Sequence, residues 1–285
     1  MSETLPDLLR VGEGFRLADV DPSSTPGFSG DKDAGAAAVA AEVPEFDRIQ
    51  EKLYANGVEG DPRRVLLVLQ ALDTAGKSGI VRHVVGSVDP QGVKIAAFKA
   101  PTAEERAHDF LWRVRPQVPP PGFIGVFDRS HYEDVLIQRV HAMATPAVIE
   151  ERYGQIVAFE KELAADGVSI IKVMLHITPE EQKKRLEARL DQSDKYWKFS
   201  DGDLHEREYW AAYMDAYQIA LTRTSTPEAP WYVVPANRKW YARLAVQRLL
   251  VGAIAALNQT WPAADFDVAA ARAELAASNP VAFPE

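Results

Sequence analysis

Short apolar runs alternate along the chain with segments whose apolar residues recur at helical spacing. A strand that is covered on both faces reads as a continuous apolar run, so these runs predict buried parallel strands. The five predicted strands are Arg64 to Gln70, Val93 to Phe98, Phe123 to Asp128, Val168 to Ile177 and Trp231 to Ala236. Strands interleaved with helices predict a three-layer α/β/α domain with a mostly parallel five-stranded sheet.

The segments between these strands are predicted to be helices. Loop signals dominate as far as Gly35, and the first long helix is predicted from Pro44 to Asn56. Thr178 opens a helix with Thr-Pro-Glu-Glu, which combines an N-cap, a first-turn proline and first-turn acids. The other predicted helices are Thr102 to Arg115, His131 to Val140, Pro146 to Ala165, Leu204 to Thr222 and Lys239 to Asn258.

Charge and composition narrow the classes of function. The 285 residues include 32 Lys and Arg against 41 Asp and Glu, and the net charge of −9 disfavours general nucleic-acid binding. An anionic ligand therefore needs a local basic site. Cysteine is absent, which excludes disulfides, thiolate metal sites and a cysteine nucleophile. The N-terminus does not resemble a signal peptide and the apolar run Leu249 to Leu257 is too short to span a bilayer, so we expect a cytoplasmic protein without a membrane partner.

The segment ALDTAGKS directly follows the first strand and is the strongest chemical signal. It has the form GxxxxGKS/T of a P-loop, except that Ala71 replaces the first glycine. Backbone N–H groups of such a turn bind phosphate, Lys77 supplies a mobile positive charge, and the Ser78 hydroxyl can ligate Mg²⁺. A chance AGKS at a helix start is the alternative. The predicted phosphate-binding residues of this segment are Thr74, Gly76, Ser78 and Gly79.

Two aspartates are candidates for metal binding beside Ser78. Asp128 ends the third predicted strand, where P-loop enzymes place the aspartate that holds Mg²⁺. Asp73 lies inside the anion-binding turn, where a carboxylate repels phosphate unless a metal ion lies between them or the carboxylate orients the acceptor. The alternative for each is a helix-capping or turn role.

Several ordered segments of this chain resemble the polyphosphate kinase 2 family, and especially its class III. These segments are QALDTAGKSGIVRHV, FDRSHYEDVLIQRVH, LHITPEEQKKRLEARLD, KYWKFSDGD and TSTPEAPWYVVPANRKWYAR. The resemblance spans about residues 10 to 255. It implies a P-loop kinase fold with a helical lid and Mg²⁺-dependent, reversible phosphoryl transfer between inorganic polyphosphate and AMP, ADP or ATP. It also implies a homodimer or homotetramer, and Mn²⁺ is an alternative cofactor.

The resemblance assigns roles to particular residues. It implies catalytic roles for Asp73, Lys77, Asp128 and Arg129, and it matches Glu133 and Asp134 to an acidic pair that we assign to nucleotide binding. This chain departs from the family in two places. Ala71 replaces the usual glycine, and Asp128 stands where class III members often have asparagine, so the class III use of AMP is less firmly implied than the family.

The local basic site is predicted after the fourth strand, where the family places its lid. Arg185 and Arg189 share one helix face and are predicted to bind polyphosphate, together with Lys183 and Lys184. A solvated helix face is the alternative. Arg106 and Arg113 lie seven residues apart on one predicted helix and are candidates for nucleotide binding, although surface ion pairs explain them almost equally well. Lys99, just past the second strand, is a further candidate.

The predicted organisation is one catalytic domain with two additions. Residues 1–60 form an N-terminal arm and helix, residues 61–260 the P-loop kinase-like domain with its lid at about 179–203, and residues 261–285 a C-terminal tail. Two other functions remain open. An ATP-dependent nucleotide kinase of the same fold explains the phosphate-binding turn and the lid, and a non-catalytic nucleotide-binding switch predicts binding without turnover.

Overall fold

The computed structural model describes residues 3–278, and its centre is a parallel sheet of five strands in the order β2-β3-β1-β4-β5. The sheet comprises β1 (Arg64–Gln70), β2 (Val93–Ala97), β3 (Ile124–Asp128), β4 (Val168–His176) and β5 (Trp231–Pro235). All four neighbouring pairs are parallel, and each strand agrees with its predicted bounds to within one residue. The predicted three-layer α/β/α fold is confirmed.

Helices cover both faces of this sheet. One apolar layer packs the helices at 32–58, 77–83 and 239–256 against the sheet, and the other packs the helices at 146–165 and 210–224. The helices are α1 (Leu5–Leu9), α2 (Lys32–Val58), α3 (Lys77–His83), α4 (Ala103–Arg106), α5 (Ile137–Val140), α6 (Pro146–Ala165), α7 (Pro179–Leu190), α8 (Asp201–Glu206), α9 (Trp210–Thr224), α10 (Lys239–Ala256) and α11 (Val268–Ala277). Strand β1 is buried at every position and lies between β3 and β4. Because the three strands are parallel, the loops that follow them meet at one edge of the sheet.

Helix α2 is much longer than its predicted Pro44–Asn56 core. It begins at Lys32, where the side chain of Asp31 accepts a hydrogen bond from the Ala34 amide at 2.9 Å, and it continues through Pro44. The loop predicted as far as Gly35 ends four residues earlier, at Asp31, because alanine, the strongest helix former, dominates the segment that follows. A Cβ on Gly35 would lie 2.2 Å from the Trp240 ring, so glycine permits the close packing of α2 on α10.

The predicted helix Thr102–Arg115 is also wrong. A capping box of Thr102 and Glu105 starts α4, but the helix ends at Arg106. The Asp109 carboxylate then accepts a hydrogen bond from the Leu111 amide at 2.9 Å, a local bond that competes with helix continuation. Arg106 and Arg113 therefore do not share a helix face.

Two other predicted helices are interrupted. The segment predicted as a helix over 131–140 forms a 3₁₀ turn, His131–Asp134, and then α5. The predicted helix over 204–222 is divided into α8, a 3₁₀ turn at Arg207–Tyr209, and α9. Helices α6 and α7 have the predicted limits to within one residue, and Thr178 caps α7 as predicted by accepting from the Glu181 amide at 3.1 Å.

The N-terminal segment covers one edge of the sheet. Arg10 forms an isolated antiparallel bridge with Tyr232, and the Val11 amide donates to the Trp231 carbonyl at 2.9 Å. The predicted division into an arm, a catalytic domain and a tail stays a prediction, and its last seven residues, 279–285, lie outside the described range. Within residues 3–278, the structure contains no helix with the length and apolarity needed to cross a membrane.

Candidate active site

The turn between β1 and α3 has the backbone of a phosphate-binding loop. Thr74 and Gly76 adopt positive φ angles of 65° and 123°, and the angle at Gly76 favours glycine. Ala71, in place of the usual first glycine, has no positive φ, so alanine is accommodated there without backbone strain. The amides of Gly76, Lys77 and Ser78 have no acceptor within residues 3–278. Such unpaired, neighbouring N–H groups are suited to binding an anion.

Lys77 begins α3 and bends back over this turn, where its Nζ atom donates to the Ala71 carbonyl at 2.8 Å. Burial lowers the pKa of Lys77, and the nearby Asp73 carboxylate opposes that shift. A bound phosphate would favour the ammonium form in the same way as the carboxylate does. The lysine is therefore placed to pair with a phosphate group.

Asp128 and Arg129 lie at the adjacent end of β3. Asp128 pairs in register with Leu69 of β1, which brings the two loops to the same edge of the sheet. Arg129 has a φ of 63°, and its guanidinium lies 3.0 Å from Asp73 Oδ1 and 3.9 Å from Glu133 Oε2. A positive φ at an arginine is uncommon outside constrained sites, and here it directs the side chain across the phosphate-binding loop.

A strongly basic cleft opens on one side of the Asp73–Arg129 pair. This basic cleft has a volume of about 420 Å³ and is lined by the phosphate-binding loop, Asp128 and cationic side chains from α7, the segment after α7, and α10. The cations other than Lys77 and Arg129 are Arg185, Arg189, Lys195, Lys198, Lys239 and Arg243. The local basic site that the negative net charge requires is therefore present.

An acidic cleft lies on the other side of the same pair. Asp73 and Arg129 line both clefts, and the acidic cleft adds Glu133, Asp203 and Glu206. Burial raises the pKa of Glu133, and burial together with the Asp73 carboxylate raises the pKa of Asp203. Burial of both carboxyl groups disfavours their charged forms, although Arg129 partly offsets the effect.

Helix α7 supports the phosphate-binding loop through Arg185. All five guanidinium N–H groups reach protein oxygens, and one side of the guanidinium pairs with Glu181 at 2.7 Å. The other acceptors are the carbonyls of Thr74, Ala75, Ala236 and Asn237. Because all five donors are used within the protein, this geometry favours a structural role for Arg185, and its binding of polyphosphate stays a prediction.

We expect Arg185→Ala to lower the free energy of unfolding by about 3 kcal/mol, because it leaves Glu181 and four carbonyls without their donor. Urea unfolding measures this effect. Lys184→Ala, an exposed neighbour on the same helix, is the matched control and should change stability by less than about 0.5 kcal/mol. Equal stabilities of the two variants would show that the Arg185 guanidinium is not held as described.

Of the two predicted lid arginines, Arg189 has the geometry that better suits the expected binding of polyphosphate. It lines the basic cleft and donates to the Lys198 carbonyl at 2.9 Å and to Asp203 at 3.0 Å. Lys183 instead points to solvent and lies 3.9 Å from Glu187, and Lys184 lines a neighbouring groove rather than the cleft. The structure therefore does not bring Lys183 and Lys184 to the phosphate-binding loop.

The expected nucleotide-binding residues separate into two groups. Glu133 lines the acidic cleft, but Lys99, Arg106 and Arg113 line neither cleft. Arg106 is exposed and donates to the Pro101 carbonyl. Asp134 has only 5% of its side chain exposed and lies 3.6 Å from Arg113 and 3.8 Å from Arg152. Its burial favours a role in anchoring these two arginines, and a nucleotide contact by Asp134 stays a prediction.

The oxygen ligands predicted for a metal line one cleft. Asp73, Ser78 and Asp128 all face the basic cleft, and Asp73 also faces the acidic one. Within residues 3–278, no group of three or more His, Cys, Asp or Glu side chains has the geometry of a complete metal site. Mg²⁺ commonly takes only one or two carboxylates and completes its shell with water and substrate phosphates, so this ligand set fits Mg²⁺.

Sequence reasoning missed two basic residues of α10. Lys239 and Arg243 line the basic cleft, and neither forms an ion pair within the described part of the chain. Burial lowers the pKa of both side chains, which is expected of cations held without an anionic partner. The sequence did contain a signal for these two residues, namely their i, i+4 spacing directly after β5. The end of β5 lies at the same edge of the sheet as the phosphate-binding loop.

A phosphate-binding loop after β1, an aspartate at the end of β3 and a basic helical cover define the class of P-loop kinase-like proteins. The family model described as polyphosphate kinase 2 matches residues 29–262. The chain therefore belongs to the polyphosphate kinase 2 family.

Individual relatives are similar over nearly the whole chain. The chain is 45% identical to the AMP/ADP-polyphosphate phosphotransferase of Meiothermus ruber over 87% of its length and 91% of the relative's. It is 41% identical to the ADP-polyphosphate phosphotransferase of Rhodopseudomonas palustris, over 89% and 91% of the two chains. The crystal structure of polyphosphate kinase 2 from Arthrobacter aurescens superposes with a TM-score of 0.95 at 59% identity, covering 97% and 98% of the chains.

Proposed function

We propose that this protein transfers phosphoryl groups reversibly between inorganic polyphosphate and nucleoside phosphates, converting AMP to ADP and ADP to ATP. The observation that carries the proposal is the basic cleft at the phosphate-binding loop, where Lys239 and Arg243 form no ion pair with any carboxylate of residues 3–278. Its cations extend well beyond one phosphate-binding loop, which suits a polyanionic chain. Relatives whose names include AMP and ADP support both acceptors.

The donor and acceptor are proposed to approach the Asp73–Arg129 pair from opposite sides. Polyphosphate occupies the basic cleft, where Lys77, Arg189 and Arg243 offset its charge. The nucleotide phosphate enters the acidic cleft, which Trp210, Tyr213 and Tyr217 line with aromatic surface. A metal ion held by Asp73 would offset the repulsion between this phosphate and the carboxylates of the cleft. Arg129 faces both clefts and is placed to stabilise the phosphoryl group between donor and acceptor.

The chemistry requires alignment and charge neutralisation rather than a strong base, because the acceptor phosphate oxygen is already ionised at neutral pH. Lys77 and the amides of the turn hold the donor phosphate in place, and Arg129 stabilises the charge of the transferring group. Asp73, Asp128 and Ser78 are proposed to hold Mg²⁺, with Mn²⁺ as an alternative. When it is bound, the ion neutralises charge on phosphate oxygens. No protein side chain needs to accept a proton.

The experiment is an assay of purified protein with long-chain polyphosphate and Mg²⁺, with AMP and ADP offered separately and products separated by chromatography. ATP from ADP, and ADP from AMP, are the expected results, and both should stop when EDTA removes the metal. Phosphorylation of a nucleotide by ATP but not by polyphosphate would favour an ATP-dependent kinase. Nucleotide binding without turnover would favour a switch.

We expect Arg243→Ala to raise the KM for polyphosphate about tenfold, because it removes an unpaired cation from the basic cleft. The KM for ADP should be unchanged, and the variant's rate should depend less steeply on salt. Steady-state kinetics at several salt concentrations measure this. Lys183→Ala, which removes an exposed lysine outside the cleft, is the matched control. Equal changes in both KM values would contradict separate donor and acceptor sides.

We also propose that the enzyme is cytoplasmic, binds neither nucleic acid nor membranes, and assembles as a homodimer or homotetramer. Light scattering of the purified chain measures the assembly.

A further inference from the structure

A buried charged cluster lies behind the turn that carries Arg129, outside both clefts. Lys172 of β4 is 0% exposed, and its Nζ atom donates to Glu160 Oε2 at 2.5 Å, to the Tyr132 hydroxyl at 2.9 Å and to the Thr224 carbonyl at 2.6 Å. The Tyr132 hydroxyl lies 2.8 Å from Glu160 Oε1, and His131 Nε2 lies 3.3 Å from the same oxygen. We call these five residues the Lys172 cluster.

Stability alone is a weak explanation for this cluster. Removing two charges from water costs several kcal/mol per ion, and buried ion pairs can often be replaced by apolar residues of similar volume without loss of stability. Lys172 and Glu160 are nevertheless placed in the apolar layer formed by α6, α9 and the sheet. Such a pair fixes directions and distances that apolar packing would leave free.

The cluster is joined to the site through four residues of chain. Tyr132 is fully buried, and its amide donates to Ser130 Oγ at 3.2 Å, while Gln70 Nε2 donates to the same oxygen at 3.1 Å. The residue before Ser130 is Arg129, which has a positive φ and whose guanidinium contacts Asp73. The turn is thus held by buried polar contacts at one end and presents Arg129 to the clefts at the other.

We propose that Lys172, Glu160 and Tyr132 are positioning residues that fix the 129–132 turn and thereby hold Arg129 against the transferring phosphoryl group. The inference rests on the proposed function, since it assigns these residues to that reaction. They touch neither cleft and act only through Arg129. Their loss should therefore reduce kcat and leave substrate binding largely unchanged.

Tyr132→Phe is the mildest test, because it removes one hydroxyl and leaves the Lys172–Glu160 pair intact. We expect kcat to fall about 10-fold to 100-fold with both KM values within about twofold. The double variant Glu160→Leu with Lys172→Met removes both charges together, and we expect the same loss of kcat at a melting temperature no lower than that of Tyr132→Phe. Gln247→Met, which replaces a fully buried amide on α10 far along the chain from this turn, should keep its kcat.

A double-mutant cycle separates positioning from general structural support. In an Arg129→Ala background, Tyr132→Phe should cause little further loss, because the group that it positions is already gone. Additive losses would overturn the inference, as would wild-type kcat in Tyr132→Phe and in the double variant. Absence of transfer in the wild-type protein would instead refute the proposed function, so the two failures are distinguishable.

Discussion

Replacing Lys77 by methionine should lower kcat for ATP formation from polyphosphate and ADP about 1,000-fold. Methionine keeps the length of the side chain but removes the ammonium group that lies over the phosphate-binding turn, 2.8 Å from the Ala71 carbonyl. The positive charge is needed most when charge moves between donor and acceptor, so the loss should fall mainly on kcat. Stopped assays with chromatographic detection of ATP measure rates this low.

Two further variants test whether the loss in Lys77→Met is caused by removal of the ammonium group. Lys77→Arg keeps a positive charge with a different shape, and we expect it to recover only part of the activity because the turn is fitted to an ammonium group. Lys183→Met applies the same substitution to an exposed lysine outside the basic cleft and should leave kcat unchanged. Near-normal turnover of Lys77→Met with a native melting temperature would remove Lys77 from the proposed mechanism.

Replacing Asp128 by alanine should lower turnover about 100-fold and raise the concentration of Mg²⁺ needed for half-maximal rate. Asp128 lies at the end of β3 in register with Leu69, on the cleft that the phosphate-binding loop lines. Asp128 is partly exposed, so the fold should be retained. Titration of Mg²⁺ at saturating polyphosphate and ADP measures the shift.

Asp191→Ala is the control for this prediction, because it removes an exposed carboxylate at the end of α7 that lines neither cleft. It should leave both the rate and the Mg²⁺ requirement unchanged. Asp128→Asn provides a second comparison of rate and Mg²⁺ requirement, because the class III pattern that the sequence resembles often has asparagine at this position. An unchanged Mg²⁺ requirement in Asp128→Ala would assign Asp128 to a role other than metal binding.

The parts of the fold that the sequence predicts well are those governed by burial. Burial of β1 at every position explains why its apolar pattern is unambiguous, whereas the edge strand β2 contains Lys94 and has only one buried residue. Helix limits were less predictable where a local contact decides them. One hydrogen bond of the Asp109 carboxylate competes with continuation of the helix beyond α4. The start of α2 at Lys32 depends on the Asp31 cap and on packing against Trp240.

The candidate site could be predicted where one short segment carries the chemistry. The phosphate-binding turn and Asp128 follow directly from their positions after apolar strands. The environments of Arg185 and Asp134 were not predictable, because spacing identifies a helix face but not the oxygens that a side chain meets there. The contribution of α10 depends on tertiary contacts between segments more than 150 residues apart, and the i, i+4 spacing of Lys239 and Arg243 does not by itself reveal these contacts.

Phosphorus NMR tests polyphosphate-dependent transfer in one reaction mixture that contains the protein, Mg²⁺, polyphosphate and ADP but no nucleoside triphosphate. We expect one phosphoryl group to disappear from polyphosphate for each ATP that forms, with no net release of orthophosphate. The transfer should reverse when ATP is supplied in excess. Release of orthophosphate without ATP, or unchanged polyphosphate, would contradict the assignment of this protein as a polyphosphate-dependent phosphotransferase.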